Sequence, residues 1–127
     1  MPLEPGLQAT VQRTVTEADT ATALGSGDVP VLATPILVAL CEAAAVDAVS
    51  EAVPADQTTV GIRVEIDHLA PTAIGSTVLA RAELVEVDGR TLRFSVEASD
   101  ASGVVARGTH VRVIVDRARF LEGAASR

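Results

Sequence analysis

From residue 60 onward, the chain alternates hydrophobic and polar residues with the two-residue period of β-strands. Residues 60–68 show this alternation most clearly, and Pro71 ends the predicted strand. The residues expected on its inward face are Val60, Ile62, Val64, Ile66 and His68. A histidine therefore shares a face with aliphatic side chains.

Three more strands are predicted downstream. Residues 77–87 alternate unevenly, which predicts a β-bulge, and Asp88-Gly89 is typical of a tight hairpin. The inward residues of the next strand are expected to be Leu92, Phe94, Val96 and Ala98. Residues 104–117 form the last predicted strand, and its expected core face consists of Val111, Val113 and Val115.

The first part of the chain predicts one more strand and one long helix. Residues 8–17 are rich in β-branched residues, which favour a strand. Thr34-Pro35 predicts a helix start, with a hydroxyl N-cap and proline in the first helical position. The helix is expected to continue to about Glu51, before Pro54. Its first turns are apolar all round, which predicts a buried helix.

The predicted order is one strand, the buried helix and four strands in an antiparallel meander. We expect a five-stranded antiparallel sheet wrapped around the single long helix, the α+β arrangement called the hot-dog fold. One helix cannot cover the whole sheet, and one edge strand would remain exposed, so a homodimer is expected. No repeat or linker divides the chain, which predicts a single domain over residues 1–127.

Composition and charge narrow the possible functions. The chain has only two aromatic residues, so its core must be aliphatic and alanine-rich. A net charge of −7 provides no basic stripe for nucleic acid. Cys41 is the only cysteine, which excludes a disulfide framework and a cysteine-based metal site and predicts a buried, inert thiol. No signal peptide or membrane span is recognisable, so we expect a soluble cytoplasmic protein without membrane contact.

Glu42 is the first acidic residue in the apolar turns of the helix, and no cation lies along residues 34–46. An unpaired carboxylate there is costly to bury, so it should be neutral, paired from elsewhere, or lining a cleft. A helix lying on the sheet would bring Glu42 close to His68. A carboxylate beside an imidazole suits acid–base or nucleophilic chemistry. The structural alternatives are an arginine partner for Glu42 and a hydrogen-bonded core position for His68.

Thr34 has a structural explanation as the helix N-cap. The same helix end also offers free N–H groups and a field that favours negative charge. Eight residues separate Thr34 from Glu42, which corresponds to about 12 Å of helix rise. The two side chains are therefore not expected to touch within one helix. Either a substrate bridges them, or the site is composed of two subunits.

A few other polar positions are candidates for binding. Gly61 interrupts its strand, which indicates close approach of a ligand or helix, or simply a bulge. Arg63, Arg107 and Arg112 are candidates for contact with a nucleotide phosphate. His110 has the same parity as Arg112, opposite the valines of its strand, so we expect it on a solvated outer face.

Three segments of the chain resemble the hot-dog thioesterases of the fluoroacetyl-CoA thioesterase type. They are residues 33–42, 60–72 and 108–112, and the resemblance extends over roughly residues 8–120. The Thr-x7-Glu spacing and the strand ending in His-x-Ala-Pro-Thr carry it together. The resemblance implies a homodimer that hydrolyses an acyl-CoA thioester at the subunit interface. It implies no metal and no cofactor beyond the coenzyme A of the substrate.

The resemblance also implies roles for individual residues. Glu42 would attack the acyl carbon or activate a water molecule, His68 would transfer protons, and Thr34 would orient the carboxylate or the acyl carbonyl. Gly61 matches a glycine that lies against the thioester carbonyl. The expected substrate-binding residues are Gly61, Pro35, Arg63 and Arg112.

The loop before the helix departs from this family. The fluoroacetyl-specific enzyme carries phenylalanines there as a lid, whereas residues 24–29 of this chain include no aromatic residue. A different or more general acyl group is therefore expected. Two other functions remain open on the same scaffold: an acyl-CoA hydratase or dehydratase, and a non-catalytic protein that binds acyl-CoA or another small molecule.

Overall fold

The computed structural model describes residues 1–127 as a five-stranded antiparallel sheet with one long helix on its inner face. The strands are β1 (Gln8–Thr14), β2 (Gln57–His68), β3 (Thr77–Asp88), β4 (Thr91–Asp100) and β5 (Gly103–Asp116). The helices are a 3-10 turn (Glu17–Asp19), α1 (Ala21–Leu24), α2 (Thr34–Val49) and α3 (Arg117–Ala125). The predicted α+β fold is confirmed.

The strand order is β1-β3-β4-β5-β2, so the predicted four-strand meander is wrong in one respect. Only β3, β4 and β5 form a meander, while β2 pairs with β5 at the far edge of the sheet. Helix α2 connects β1 and β2, which lie at opposite edges. Sequence-adjacent strands usually pair, but the long turn between β2 and β3 permits this exception.

Helix α2 is buried on one face only. Its buried residues are Leu37, Cys41, Ala44, Ala45, Ala48 and Val49, and they pack chiefly toward β1 and β3. The opposite face is exposed in the single chain through Pro35, Ala39, Ala43 and Val46. The expectation of a helix buried all round is therefore wrong for one subunit. No helix in this fold is long and apolar enough to cross a lipid bilayer.

The β3–β4 hairpin agrees with the sequence pattern. The register shifts between Leu84 and Glu86, which confirms the predicted bulge. Gly89 turns the chain with a φ of 60°, a left-handed conformation that glycine adopts without strain. The four residues predicted to face inward on β4 are all buried. Of this hairpin, β3 together with β1 supplies most of the sheet surface on which α2 lies.

A second bulge lies in β2, where the register shifts between Gly61 and Arg63. The extra residue changes the parity of the strand, because Gly61 pairs with Arg112 and Val64 pairs with His110. Residues 64, 66 and 68 therefore share the inner face with Gly61, whereas Val60 does not. The prediction that Val60 and Ile62 share that face is wrong, and Ile62 is 60% exposed.

Candidate active site

The carboxylate of Glu42 lies over the β5–β2 half of the sheet. Its side chain is 39% exposed in the single chain, so it is not fully buried. The guanidinium of Arg112 on β5 forms an ion pair with it, with Nη1 3.6 Å from Oε2. The cation missing from the helix sequence is thus supplied by a strand 70 residues later in the chain.

Arg112 and His110 are buried, with residue exposures of 7% and 1%, contrary to the predicted solvated outer face. The reason is the parity of β5. His110 and Arg112 share a face with Ile114, and this face lies under α2. Of the three valines of the alternate parity, Val111 is buried as predicted, whereas Val113 and Val115 are only half-buried. The valine run did not identify the face under the helix because β-branched residues are favoured on either face of a strand. Ile114 was the one local signal for the correct parity.

The hydrogen bonds of Arg112 hold its guanidinium at three points. Nε donates to the Thr59 hydroxyl at 2.9 Å, and Nη2 donates to the Thr59 carbonyl at 2.9 Å. Nη1 is 3.0 Å from Nε2 of His110. Burial lowers the pKa of Arg112, while the charge of Glu42 opposes that shift. The site therefore contains a buried cation in which each of the three guanidinium nitrogens has a hydrogen-bond partner on the strands.

Gly61 lies directly against this cluster. A Cβ atom on Gly61 would be 3.0 Å from Oε2 of Glu42, 3.1 Å from Cε1 of His110 and 3.2 Å from Nη1 of Arg112. Both readings of this glycine apply, because it lies next to the bulge and its backbone also approaches a helix side chain closely. The space above its backbone is the only place where Glu42, His110 and Arg112 meet.

Thr34 and His68 form a second polar pair, with Oγ1 2.8 Å from Nδ1. The helix N-cap is Ala33, whose carbonyl accepts the N–H of Leu37, so the prediction of Thr34 as the N-cap is wrong by one residue. His68 lies on the predicted inner face, but its partner is Thr34, and it forms no ion pair with Glu42. The predicted contact between His68 and Glu42 is therefore wrong within one subunit. Nε2 of His68 is buried and has no hydrogen-bond partner.

A groove of about 310 Å³ opens beside Thr34 and His68. Its other wall comes from the loop before α2 and includes Ser26, Gly27, Val29 and Val31. All of these side chains are small or aliphatic, so no aromatic ring covers the groove. Space for an acyl group or a thioester is thus present next to the Thr34–His68 pair.

The remaining candidates are placed as follows. Arg63 is exposed and pairs with Glu65 at 3.6 Å, and Arg107 is exposed with Glu97 at 4.0 Å. Pro35 is exposed in the first turn of α2. Burial raises the pKa of the Cys41 thiol to about 11, so it is protonated at neutral pH. No cluster of three or more His, Cys, Asp or Glu residues in the chain could hold a metal ion.

An antiparallel sheet wrapped around one long helix defines the class of hot-dog-fold proteins. The family can also be stated. The chain belongs to the family described as fluoroacetyl-CoA-specific thioesterases, because the model of that family matches residues 15–118.

Individual relatives agree with this assignment. The fluoroacetyl-CoA thioesterase of Streptantibioticus cattleyicolor is 34% identical over 90 residues, which span 71% of this chain and 65% of the length of that relative. A solved structure of a fluoroacetyl-CoA thioesterase superposes with a TM-score of 0.93 at 27% identity, covering 100% of this chain and 98% of the other. A variant of such an enzyme in complex with fluoroacetate and CoA superposes at 0.87 and 29% identity, covering 93% and 99% of the two chains.

The fold extends to a more distant protein. A hot-dog-like protein from Thermanaerovibrio acidaminovorans is 24% identical and superposes with a TM-score of 0.88, covering 98% of this chain and 92% of its own. At this identity the likeness concerns the fold alone, and it confirms the hot-dog architecture predicted from the element order.

Proposed function

We propose that this protein hydrolyses an acyl-CoA thioester, as a homodimer with its active sites at the subunit interface. The observation that carries the proposal is the half-exposed Glu42 carboxylate, paired with a buried arginine and packed against the backbone of Gly61. Membership of the thioesterase family and the likeness to a relative solved with CoA support the substrate class. The overall reaction converts the thioester and water into a carboxylate, a free thiol and a proton.

Glu42 supplies the negative charge that starts the reaction. Its carboxylate attacks the acyl carbon directly, expelling the thiolate and forming an anhydride that water then hydrolyses, or it takes a proton from a water molecule that attacks the acyl carbon. Arg112 stabilises the carboxylate as an ion without covering it, since Glu42 remains partly exposed. The carbonyl carbon would lie above Gly61, where the lack of a side chain leaves room for the thioester.

His68 moves protons in this proposal. Nε2 of its imidazole has no partner in the fold, so it is free to donate a proton to the leaving thiolate. Thr34 holds the other ring nitrogen at 2.8 Å and thereby fixes the orientation of the ring. In this proposal Thr34 positions the imidazole of His68, whereas the family resemblance implies that it orients the carboxylate or the acyl carbonyl.

The two polar clusters are far apart within one subunit. Thr34 and Glu42 lie eight residues apart on one helix, which corresponds to about 12 Å along its axis. A symmetric dimer would resolve this separation by bringing the Thr34–His68 pair of one subunit to the Glu42 carboxylate of its partner. Each dimer would then contain two composite sites.

The surface that would form this dimer is unpartnered in the single chain. Strand β2 is twelve residues long and pairs only with β5, so its other edge is free. Ile62 and Val64 on β2 and Val46 on α2 are exposed aliphatic residues next to that edge. A long, unprotected edge strand beside an apolar helix face favours antiparallel pairing with a second copy. Arg63, at the same edge, and Pro35 would contact the substrate, together with Arg112 beneath it.

The direct test is release of free thiol from a series of short acyl-CoAs, with Glu42→Gln as the inactive variant. We expect kcat/KM to fall by about a thousandfold or more, because an amide is neither a nucleophile nor a base. Glu86→Gln, an exposed carboxylate on β3, is the matched control and should retain activity. Undiminished thiol release by Glu42→Gln would refute the mechanism. Hydration of an enoyl-CoA without thiol release would assign the chain to the hydratase alternative.

A further inference from the structure

His110 is a buried histidine that the proposed mechanism does not use. It lies on the inner face of β5, with 1% of its surface exposed, and its ring lies 6.3 Å from that of Phe94 on β4. The charged groups facing it are Arg112 from its own strand and Glu42 from α2, whose Oε2 is 3.9 Å from Nε2. From β2 it meets the backbone carbonyl of Arg63.

The neighbours of His110 determine its protonation state. Nδ1 is 2.8 Å from the Arg63 carbonyl, which can only accept, so Nδ1 carries the proton. Nε2 is 3.0 Å from Nη1 of Arg112, which can only donate, so Nε2 is unprotonated. The ring is therefore neutral, and a second proton would place two donors and two positive charges against each other. Burial correspondingly lowers the pKa of His110, although the Arg63 carbonyl opposes that shift.

The Nε2 acceptor changes how Arg112 meets Glu42. Thr59 holds two nitrogens of the guanidinium, and His110 holds the third, so the plane of the group is fixed. Nη1 has two hydrogens, and the position in which it donates one of them to His110 leaves it 3.6 Å from Oε2 of Glu42, an ion pair beyond the length of a normal hydrogen bond. The carboxylate oxygen keeps the favourable charge nearby while its lone pairs stay available.

We propose that His110 is a positioning residue: as a neutral acceptor it holds the Arg112 guanidinium so that Arg112 pairs with Glu42 without capturing its carboxylate. This inference rests on the proposed thioesterase function. Without the acceptor, the guanidinium would lose the contact that holds Nη1 back and would be drawn toward Glu42 into a direct hydrogen bond with the oxygen that must react. His110 makes no hydrogen bond to Glu42, whose Oε2 is 3.9 Å away, and it acts through Arg112.

A pair of variants separates this role from simple packing. Glutamine places an amide oxygen close to the position of Nε2 and can accept from Arg112, whereas leucine fills similar space without an acceptor. We expect His110→Leu to lower kcat by about 100-fold, the usual effect of a misplaced catalytic group, with a much smaller change in KM. His110→Gln should recover most of that loss. Equal kcat values in the leucine variant and the unmodified protein would overturn the proposal, as would failure of glutamine to rescue.

A measurement independent of turnover distinguishes failure of this inference from failure of the proposed function. The ¹⁵N NMR spectrum of the unmodified protein at neutral pH should show His110 protonated at Nδ1 and not at Nε2. Protonation at Nε2 would overturn the inference even if the enzyme releases thiol. A protein that releases no thiol but shows the expected nitrogen signals and a His110-dependent signal of the Arg112 Nη1 group would retain the positioning role and lose only the thioesterase proposal.

Discussion

At the scale of single residues, the site depends on a buried guanidinium in which each nitrogen has a hydrogen-bond partner. A buried charge is tolerated only when it is paired and hydrogen-bonded, and Arg112 meets that condition through Thr59, His110 and Glu42. The carboxylate that the sequence shows alone in an apolar helix is therefore one end of a charge network. Gly61 borders this network, because any side chain at that position would enter the space between Glu42, His110 and Arg112.

Substitution of Gly61 tests how closely its backbone packs against these side chains. A methyl group would lie 3.0–3.2 Å from Glu42, His110 and Arg112, so these side chains must shift by a few tenths of an ångström. We expect Gly61→Ala to cost about 1–3 kcal/mol of unfolding free energy and to lower kcat/KM strongly. Urea unfolding and thiol release measure the two effects. Gly123→Ala, in open space on α3, is the control; an equal effect at both positions would contradict the account of the site.

Asp19 stabilises the segment that leads into the groove, and it should do so in a pH-dependent way. The Arg13 guanidinium, 2.7 Å away, and the backbone N–H of Thr16 lower the pKa of Asp19 from 3.8 to about 2. The unfolded chain binds the proton more readily, so stability is complete above about pH 4 and is lost as the pH falls toward 2. Unfolding free energies measured from pH 5 to 2 should show this loss in the unmodified protein. A slope of the same size in Asp19→Asn would assign it to other carboxylates.

At the scale of elements, α2 places two polar side chains, Thr34 and Glu42, against β2 at separate points along its length. Its first residue, Thr34, hydrogen-bonds to His68 at the end of β2, and Glu42 reaches the middle of the same strand. The bulge at Ile62 lets both residues meet the inner face of β2, because it places Gly61 and His68 on that face. Helix and strand are thus joined at two points along their length.

The shifted N-cap gives a prediction at this scale. An N-cap threonine contributes about 1 kcal/mol through its side-chain hydrogen bond to the helix, but Thr34 makes no such bond. We expect Thr34→Val to lower the free energy of unfolding by no more than about 1 kcal/mol, through loss of its one hydrogen bond to His68, while it lowers kcat. Thr20→Val is the comparison, because Thr20 does cap α1 by accepting the N–H of Ala23. A large stability loss in Thr34→Val with unchanged kcat would restore the capping role.

At the scale of the whole molecule, the proposed dimer determines whether the two clusters form one site. The single chain leaves an apolar strip of α2 and the free edge of β2 exposed on the same side as Glu42. Covering that strip with a second copy would bury the aliphatic residues and enclose the carboxylate. Desolvation of the closed site would strengthen each charge interaction within it.

Mixing two inactive variants tests the composite site. If Glu42 of one subunit works with His68 of the other, a heterodimer of Glu42→Gln and His68→Ala contains one intact site. Random reassociation should then restore about a quarter of the unmodified activity, since half of the dimers are mixed and each has one of two sites intact. Each variant measured alone provides the baseline. Activity that stays at this baseline, with mixed dimers shown to form, would place each site within a single subunit.

Local sequence patterns were sufficient to predict the five strands and the long helix α2, whereas the 3-10 turn, α1 and α3 were not predicted. The strand periods, the β3 bulge, the Asp88-Gly89 hairpin and the single long helix all follow from local rules of side-chain alternation and turn geometry. Glu42, His68 and Gly61 were also recognisable, because an acid in an apolar helix, an inward histidine and a glycine within a strand each break a local pattern.

Only the tertiary structure decided which of these residues meet. Strand order placed β2 beside β5, and that pairing brought Arg112 and His110 under Glu42 although the valines of β5 had indicated the opposite face. A one-residue bulge in β2 put Gly61 and His68 on one face of the sheet. A one-residue shift of the N-cap left the Thr34 hydroxyl to hydrogen-bond with His68. Strand parity is local, but which parity is covered by a helix depends on contacts between segments distant in sequence, and no window of the chain contains that information.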